Sequence, residues 1–189
     1  MDSTIKYNGS IHLILGCMFS GKTTELMNTM KRFKSIGKNV MVINYKLDDR
    51  YGNDIVSSHD SIGVNAYMLE KLNDIYTNDE INDKYKNSDY IFINEGQFFE
   101  DLYDFCNKSA NKENKHLYIC GLDGDYKQQK FGSLLDLIPI SDTYKKLYAL
   151  CKICGLPASF SKRIVENKEQ IVIGNNDTYI PVCRKHYFN

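Results

Sequence analysis

The residues with the clearest chemical pattern are Gly16-Cys17-Met18-Phe19-Ser20-Gly21-Lys22-Thr23, which match the spacing G-x-x-x-x-G-K-[ST]. This is the pattern of a phosphate-binding loop, whose backbone N–H groups and following helix N-terminus cradle phosphates. Lys22 is expected to reach the transferring phosphate, and the Thr23 hydroxyl to ligate Mg²⁺. The segment predicts a site for ATP with Mg²⁺. The alternative is a glycine-rich helix start that binds no nucleotide.

The polar pair Asn94-Glu95 follows the apolar run Tyr90-Ile91-Phe92-Ile93. Enzymes with a phosphate-binding loop keep an acidic residue for the Mg²⁺ site at such a strand end, and here that position is Asn94. The next residue, Glu95, would face the phosphates and could accept a proton from a substrate hydroxyl. The alternative is an ordinary surface carboxylate at a strand end.

Three of the six cysteines have the spacing of metal ligands. Cys151-x-x-Cys154 and Cys183-x-x-His186 supply four ligands in two knuckles, which is typical of structural Zn²⁺ in a closed tetrahedral shell. With all four positions filled by protein, no open position is left for catalysis. The alternative is a set of three buried cysteines and an incidental histidine.

The other polar candidates carry weaker signals. Asp48 and Arg50 stand in a polar segment, where Arg50 could reach a phosphate and Asp48 could support the Mg²⁺ shell. Taken alone, charged loops are usually just solvated. His12 has apolar neighbours and is expected to pack within a strand, and the cysteines outside the metal pattern are expected to be small buried hydrophobic residues. These cysteines are Cys17, Cys106 and Cys120.

The apolar pattern predicts an α/β fold, whose strands and helices would position the candidate site residues. Short apolar runs at 11–15, 40–43, 90–93 and 117–120 are spaced for crossover helices, and apolar residues from Thr23 to Phe33 recur at helical spacing. This alternation predicts a parallel sheet with flanking helices, of the RecA-like type with a phosphate-binding loop. The segment 73–88 is left unassigned. Residues 1–147 are expected to form this domain, and residues 148–189 a small β-rich zinc-binding module.

Composition limits the class of ligand. Lys plus Arg and Asp plus Glu both total 24, so no net positive field exists to hold a nucleic-acid polymer or an anionic membrane. The start of the chain has no signal-peptide pattern, and no apolar run approaches the about 20 residues of a membrane span. A cytoplasmic protein that binds small molecules is expected. In a reducing compartment, paired cysteines point to metal and not to disulfides.

The motifs taken together resemble the type II thymidine kinases, the zinc-containing family of cytosol, bacteria and large DNA viruses. The resemblance runs over nearly the whole chain. It rests on an ordered set of motifs, namely Gly16 to Leu26, Asp49-Arg50-Tyr51, Ser58-His59-Asp60, Glu95-Gly96-Gln97-Phe98-Phe99, Leu122-Asp123-Gly124, Phe131-Gly132, Ser161-Lys162-Arg163 and the knuckles that end in His186-Tyr187-Phe188.

The resemblance implies a role for each matching residue. Glu95 would be the general base for the nucleoside 5′-hydroxyl, and Gln97 would lie with Asn94 at the phosphate site. Residues from about 160 to 179 would form a lasso loop over the nucleoside, anchored by zinc, with backbone near Val172 and Gly174 reading the base edge. Phe98 would lie near sugar and base, and Arg163 could add a phosphate contact. The thymine pocket would be walled by Met18, Leu122, Tyr126, Phe131 and Tyr179.

Three residues depart from the family pattern. Asn94 replaces the usual Asp, so Mg²⁺ would depend on Thr23, phosphate oxygens and water, with Asp48 as a further candidate. His186 replaces the commoner fourth Cys, which zinc tolerates. Ser161 stands where Thr is frequent beside the thymine methyl, which predicts a slightly roomier pocket.

The function expected from residues and resemblance is transfer of the ATP γ-phosphoryl group to thymidine, and to deoxyuridine, for nucleoside salvage in DNA synthesis. The resemblance also implies a homotetramer that is inhibited by thymidine triphosphate. Two other functions stay open. One is a RecA-like ATPase or motor that acts on nucleic acid. The other is either a zinc-ribbon binding module whose phosphate-binding loop is vestigial, or a nucleotide sensor that Asn94 has made catalytically inactive.

Overall fold

A computed structural model of the chain describes residues 9–46, 55–57, 63–166 and 178–189. The strands are β1 Ser10–Gly16, β2 Val40–Tyr45, β3 Ile55–Ser57, β4 Gly63–Asn65, β5 Tyr67–Leu69, β6 Tyr90–Ile93, β7 His116–Gly121, β8 Thr143–Leu147, β9 Ala149–Leu150, β10 Pro157–Ala158, β11 Phe160–Arg163 and β12 Tyr179–Val182. The α-helices are α1 Lys22–Ser35, α2 Asp79–Lys86, α3 Leu102–Asn111 and α4 Arg184–Phe188, and 3₁₀ helices span Leu72–Tyr76, Gly96–Phe98 and Leu134–Ile140.

Six strands form the main sheet, in the order β5-β2-β6-β7-β1-β8. Every neighbouring pair in it is parallel. The expected α/β class with a parallel sheet is therefore confirmed. Because the strands are parallel, their carboxyl ends meet at one edge of the sheet, which is where α/β proteins of this kind bind ligands. The residues that follow β1, β6 and β7 are gathered at that edge.

Both faces of the sheet are covered, which explains the continuous apolar runs in its strands. Alternate residues of β1 point to opposite faces: Leu13 belongs to a buried cluster with Phe105 of α3, whereas Ile14 belongs to a second cluster with Leu26 of α1. The helix and strands predicted around the phosphate-binding loop are confirmed. The segment 73–88, unassigned from sequence, contains most of one 3₁₀ helix and α2.

The C-terminal module, defined here as residues 149–166 and 178–189, consists of two short antiparallel pairs, β9 with β10 and β11 with β12, followed by α4. Residues 167–177, between β11 and β12, lie outside the described residues. The β-rich character expected of this region is confirmed for the part that the structure describes. Among all the residues that the structure describes, no helix is long and apolar enough to cross a membrane.

Gly132 is a position where the fold tolerates no side chain. Its φ is +58°, and an added Cβ would lie 3.0 Å from the Gln97 carbonyl carbon and closer still to the carbonyl oxygen. Gly37, just after α1, has a similar φ of +75° but open space around it. A substitution at Gly37 therefore measures the cost of a left-handed backbone alone, whereas one at Gly132 adds the cost of a steric clash.

We predict that Gly132→Ala is far more destabilising than Gly37→Ala. The Gly37 variant should lose about 1–2 kcal/mol of unfolding free energy, the usual cost of a left-handed backbone for a residue with a Cβ. The Gly132 variant must also displace the Gln97 backbone. Urea denaturation of both variants and the parent measures the difference. Equal losses would contradict the close approach at Gly132.

Candidate active site

The phosphate-binding loop joins β1 to α1 at the carboxyl edge of the sheet. Gly21 precedes the helix with φ +81° and caps it without a side-chain hydrogen bond, so side-chain capping does not occupy the first helical N–H groups. Lys22 is buried, and its Nζ donates to the Cys17 carbonyl oxygen at 2.7 Å. The Ser20 hydroxyl donates to the same oxygen at 2.8 Å. Uncapped amides beside a lysine form an anion site suited to phosphates.

Thr23 is joined to the end of β6 by a buried polar network. Its hydroxyl donates to Asn94 Oδ1 at 3.2 Å, and Asn94 Nδ2 donates to Asn44 Oδ1 at 2.9 Å. The Cys120 thiol also lies 3.0 Å from Asn94 Oδ1. Hydroxyl and amide oxygens are ligands that Mg²⁺ accepts, so Thr23 and Asn94 fit the metal of a bound nucleotide. Sequence reasoning missed Asn44, although an Asn within an apolar strand is a usable signal.

Glu95 has a strained backbone, with φ +54° and ψ +43°. Such a conformation is uncommon for a residue with a Cβ, and strain of this kind clusters at functional sites. Its Oε2 accepts a hydrogen bond from Gln97 Nε2 at 2.7 Å, while Gln97 Oε1 accepts one from the Leu122 N–H at 3.0 Å. Buried Gln97 thus ties the carboxylate to the segment after β7. Gln97 was assigned to the phosphate site from sequence, and its observed contacts are with Glu95 and Leu122.

Three aromatic rings form a connected group that includes Phe98, three residues after Glu95. Phe98 stacks on Tyr45, with ring centroids 5.1 Å apart, and meets Phe131 edge-on at 5.4 Å. Phe131 is buried. The grouping of Phe98 with Phe131 agrees with their expected place in one pocket. Tyr45 was missed, because an aromatic residue at the end of an apolar strand has the same pattern as a core residue.

A second aromatic group lies around Arg163. The guanidinium carbon is 3.7 Å from the centre of the Tyr126 ring and 5.1 Å from that of Tyr179. Arg163 Nε also donates to the Tyr179 hydroxyl at 3.1 Å. The structure therefore brings together three residues that the sequence assigned to substrate binding, and Arg163 makes cation–π contacts with both rings.

The remaining predicted site residues divide into two groups. Met18 and Ser161 are in contact, because the Met18 N–H donates to the Ser161 hydroxyl at 3.0 Å. The other group cannot be placed, because Asp48, Arg50, Val172 and Gly174 lie outside the described residues.

The cysteines outside the metal pattern are buried, as predicted. Burial raises the pKa of the Cys17 thiol, and Lys22 and Lys146 lower it only in part. Burial also raises the pKa of Cys120 to about 12, and the nearby Glu95 charge adds to that rise. Both thiols therefore stay neutral at physiological pH and are unsuited to nucleophilic chemistry.

The Cys and His residues of the two knuckles form one cluster, with all ligand atoms within 4.8 Å of one another. Tetrahedral Zn²⁺ requires about 3.8 Å between two sulfurs and about 3.5 Å between sulfur and nitrogen, from its usual bond lengths. Cys154 Sγ lies 3.8 Å from Cys183 Sγ, and His186 Nδ1 lies 3.5 Å from Cys151 Sγ and 3.4 Å from Cys183 Sγ. The donor set and its spacing fit a metal ion.

Comparison with known proteins agrees with this geometry. A family model described as thymidine kinase matches residues 9–187. The chain is 45% identical to a thymidine kinase of Yaba monkey tumor virus, with 96% of each chain covered, and 41% identical to that of vaccinia virus, with 96% of this chain and 98% of the relative covered. It is 42% identical to a thymidine kinase of Oryza sativa subsp. japonica, over 100% of this chain and 70% of the relative. The chain belongs to the thymidine kinase family.

Proposed function

We propose that this protein transfers the γ-phosphoryl group of ATP to the 5′-hydroxyl of thymidine. The observation that carries the proposal is the pair of consecutive residues at the end of β6. Asn94 is bound to Thr23 of the phosphate-binding loop, whereas Glu95, turned by its left-handed backbone, is bound by Gln97. Asn94 can therefore contact the Mg²⁺ of the nucleotide, while the adjacent Glu95 accepts the proton of the attacking hydroxyl at the same site.

In the proposed reaction the thymidine 5′-oxygen attacks the γ-phosphorus while the bond to the β–γ bridging oxygen breaks and ADP leaves. Glu95 takes the hydroxyl proton, and Gln97 holds its carboxylate in place. Lys22 and the loop amides stabilise the charge that spreads over the transferring group. Mg²⁺, held with the nucleotide by Thr23 and Asn94, would neutralise part of the phosphate charge.

The proposed nucleoside pocket includes Phe98 and Phe131, whose edge-on packing offers an apolar surface. Deoxyuridine lacks only the thymine methyl, a loss worth about 0.8 kcal/mol of burial, and is proposed as a second substrate. Nucleoside salvage for DNA synthesis, inhibition by thymidine triphosphate, a homotetramer and a cytoplasmic location remain part of the proposal.

The metal in the Cys and His cluster is proposed to be a structural Zn²⁺. Three sulfurs and one imidazole, with all ligand atoms within 4.8 Å of one another, suit zinc and leave no open position. The ligands come from both ends of the C-terminal module, so the metal would close it. Residues 148–189 are accordingly proposed as the zinc-binding unit beside the kinase domain of residues 1–147.

We predict that Glu95→Gln lowers the rate of thymidine phosphorylation by roughly 10²–10⁴, the usual contribution of a general base. The amide keeps the size of the side chain, so ATP and thymidine should still bind. Labelled thymidine and ATP with Mg²⁺ give the rate, and calorimetry gives the binding. Glu100→Gln, at an exposed position nearby, is the matched control and should react normally. A near-normal rate for Glu95→Gln would show that Glu95 is not the general base.

We predict that Asn94→Asp lowers the Mg²⁺ concentration for half-maximal activity by roughly tenfold, because a carboxylate attracts the ion more strongly than an amide does. The side chain is buried, so the Asn44 amide must turn to donate to it. Asn44→Asp is the control: it adds the same charge but keeps the Asn94 amide oxygen beside Thr23. An unchanged Mg²⁺ dependence in Asn94→Asp would place Asn94 outside the metal site.

We predict that the purified protein contains one zinc per chain and that Cys154→Ser loses it, with a lower melting temperature, because metal binding at such sites contributes folding energy. Cys120→Ser changes a buried thiol outside the cluster and should keep its zinc. Elemental analysis of the parent, Cys154→Ser and Cys120→Ser measures the zinc content of each protein. Protein without zinc, or Cys154→Ser with a full complement, would contradict the assignment.

A further inference from the structure

Two side chains of the phosphate-binding loop pack into the core of the C-terminal module. Cys17 is only 2% exposed and forms one hydrophobic cluster with Ala149, Cys151, Ala158 and Val182. Phe19 packs against the same cluster. The loop therefore does not rest on the main sheet alone, since Cys17 and Phe19 pack with residues of a module that lies far away in sequence.

Polar contacts join the same two parts. The Ser161 hydroxyl, on β11, accepts a hydrogen bond from the Met18 N–H at 3.0 Å, and Ser161 is itself 5% exposed. The Cys17 thiol lies 3.4 Å from the Ala158 carbonyl oxygen. Cys17, Met18 and Phe19 are consecutive, so the module contacts one continuous stretch of the loop.

The loop needs such support because its backbone is strained. Phe19 has φ +64°, a conformation that costs about 1–2 kcal/mol for a residue with a Cβ. A strained conformation persists only where its surroundings hold it. The contact at Met18 immediately precedes this residue, and the packing of Phe19 against the module holds its side chain. Together they limit where the amides from Ser20 to Thr23 can lie.

We propose that Ser161 is a positioning residue for the phosphate-binding loop, so that nucleotide binding depends on the C-terminal module. The inference rests on the proposed kinase function and gives it a physical link between the module and the phosphate site. It differs from the role that the family resemblance implies for Ser161, next to the thymine methyl. A residue of the thymine pocket affects thymidine, whereas a support of the loop affects the nucleotide even when thymidine is absent.

The test measures binding of a non-hydrolysable ATP analogue, adenylyl imidodiphosphate with Mg²⁺, by calorimetry without thymidine. We expect Ser161→Ala to weaken binding roughly 3- to 10-fold, the ratio that corresponds to one net hydrogen bond. Ser161→Thr keeps the hydroxyl and should bind like the parent. Ser159→Ala, two residues away in the same segment, is the matched control. In kinetic assays, Ser161→Ala should raise the KM for ATP more than it lowers kcat.

A second variant tests the apolar part of the contact without touching Ser161. Cys17→Ala removes the thiol that packs into the module and should also weaken binding of the analogue. Cys106→Ala removes an equally buried thiol from the main core, so it should lower the melting temperature and leave analogue binding unchanged.

The possible results separate this inference from the proposed function. If Ser161→Ala and Cys17→Ala bind the analogue like the parent while Ser161→Ala raises the KM for thymidine, Ser161 serves the nucleoside pocket only and the inference is overturned. If both variants bind the analogue more weakly but the parent does not phosphorylate thymidine, the support of the loop stands and the proposed substrate is wrong.

Discussion

The backbone from Gly16 to Lys22 must hold a strained shape without using the amides that are proposed to bind phosphate. A helix start usually uses a side-chain cap for its first amides, but Gly21 supplies none. The shape has to be maintained by other groups. Lys22 and Ser20 both bond to the Cys17 carbonyl oxygen, and the Met18 amide is bound by Ser161. Carbonyl groups and side chains therefore maintain the loop and leave the later amides for the ligand.

A polar side chain is buried at the end of β6, so its hydrogen-bonding groups need partners within the protein. Asn94 is 4% exposed, and an unpaired polar group there would be costly. Its amide is satisfied on both sides, by Thr23 and Cys120 at the oxygen and by Asn44 at the nitrogen. The network fixes the direction of the amide, with its oxygen toward the loop. An Asn can replace an acidic residue here because Asn44 accepts the hydrogen bond that its nitrogen must donate.

The sequence predicted the elements whose pattern is local. The runs that became β1, β6 and β7 are apolar because both faces of the sheet are covered, and the metal cluster follows from the spacing of its knuckles. It did not predict β8, since the exposed residues of this edge strand carry little apolar signal. The contact between Met18 and Ser161 joins residues far apart along the chain. The family resemblance places both residues at the thymine pocket, but no local pattern encodes the hydrogen bond between the Met18 amide and the Ser161 hydroxyl.

The shared cluster makes the loop and the C-terminal module depend on each other. The module has few buried apolar residues, and one member of its cluster, Cys17, comes from the loop. A unit this small needs further stabilisation, which the proposed structural metal would supply. Metal binding that orders the module would thus also order the segment from Cys17 to Phe19. Because such coupling is reciprocal, a nucleotide that favours the ordered loop would favour the metal-bound module by the same factor.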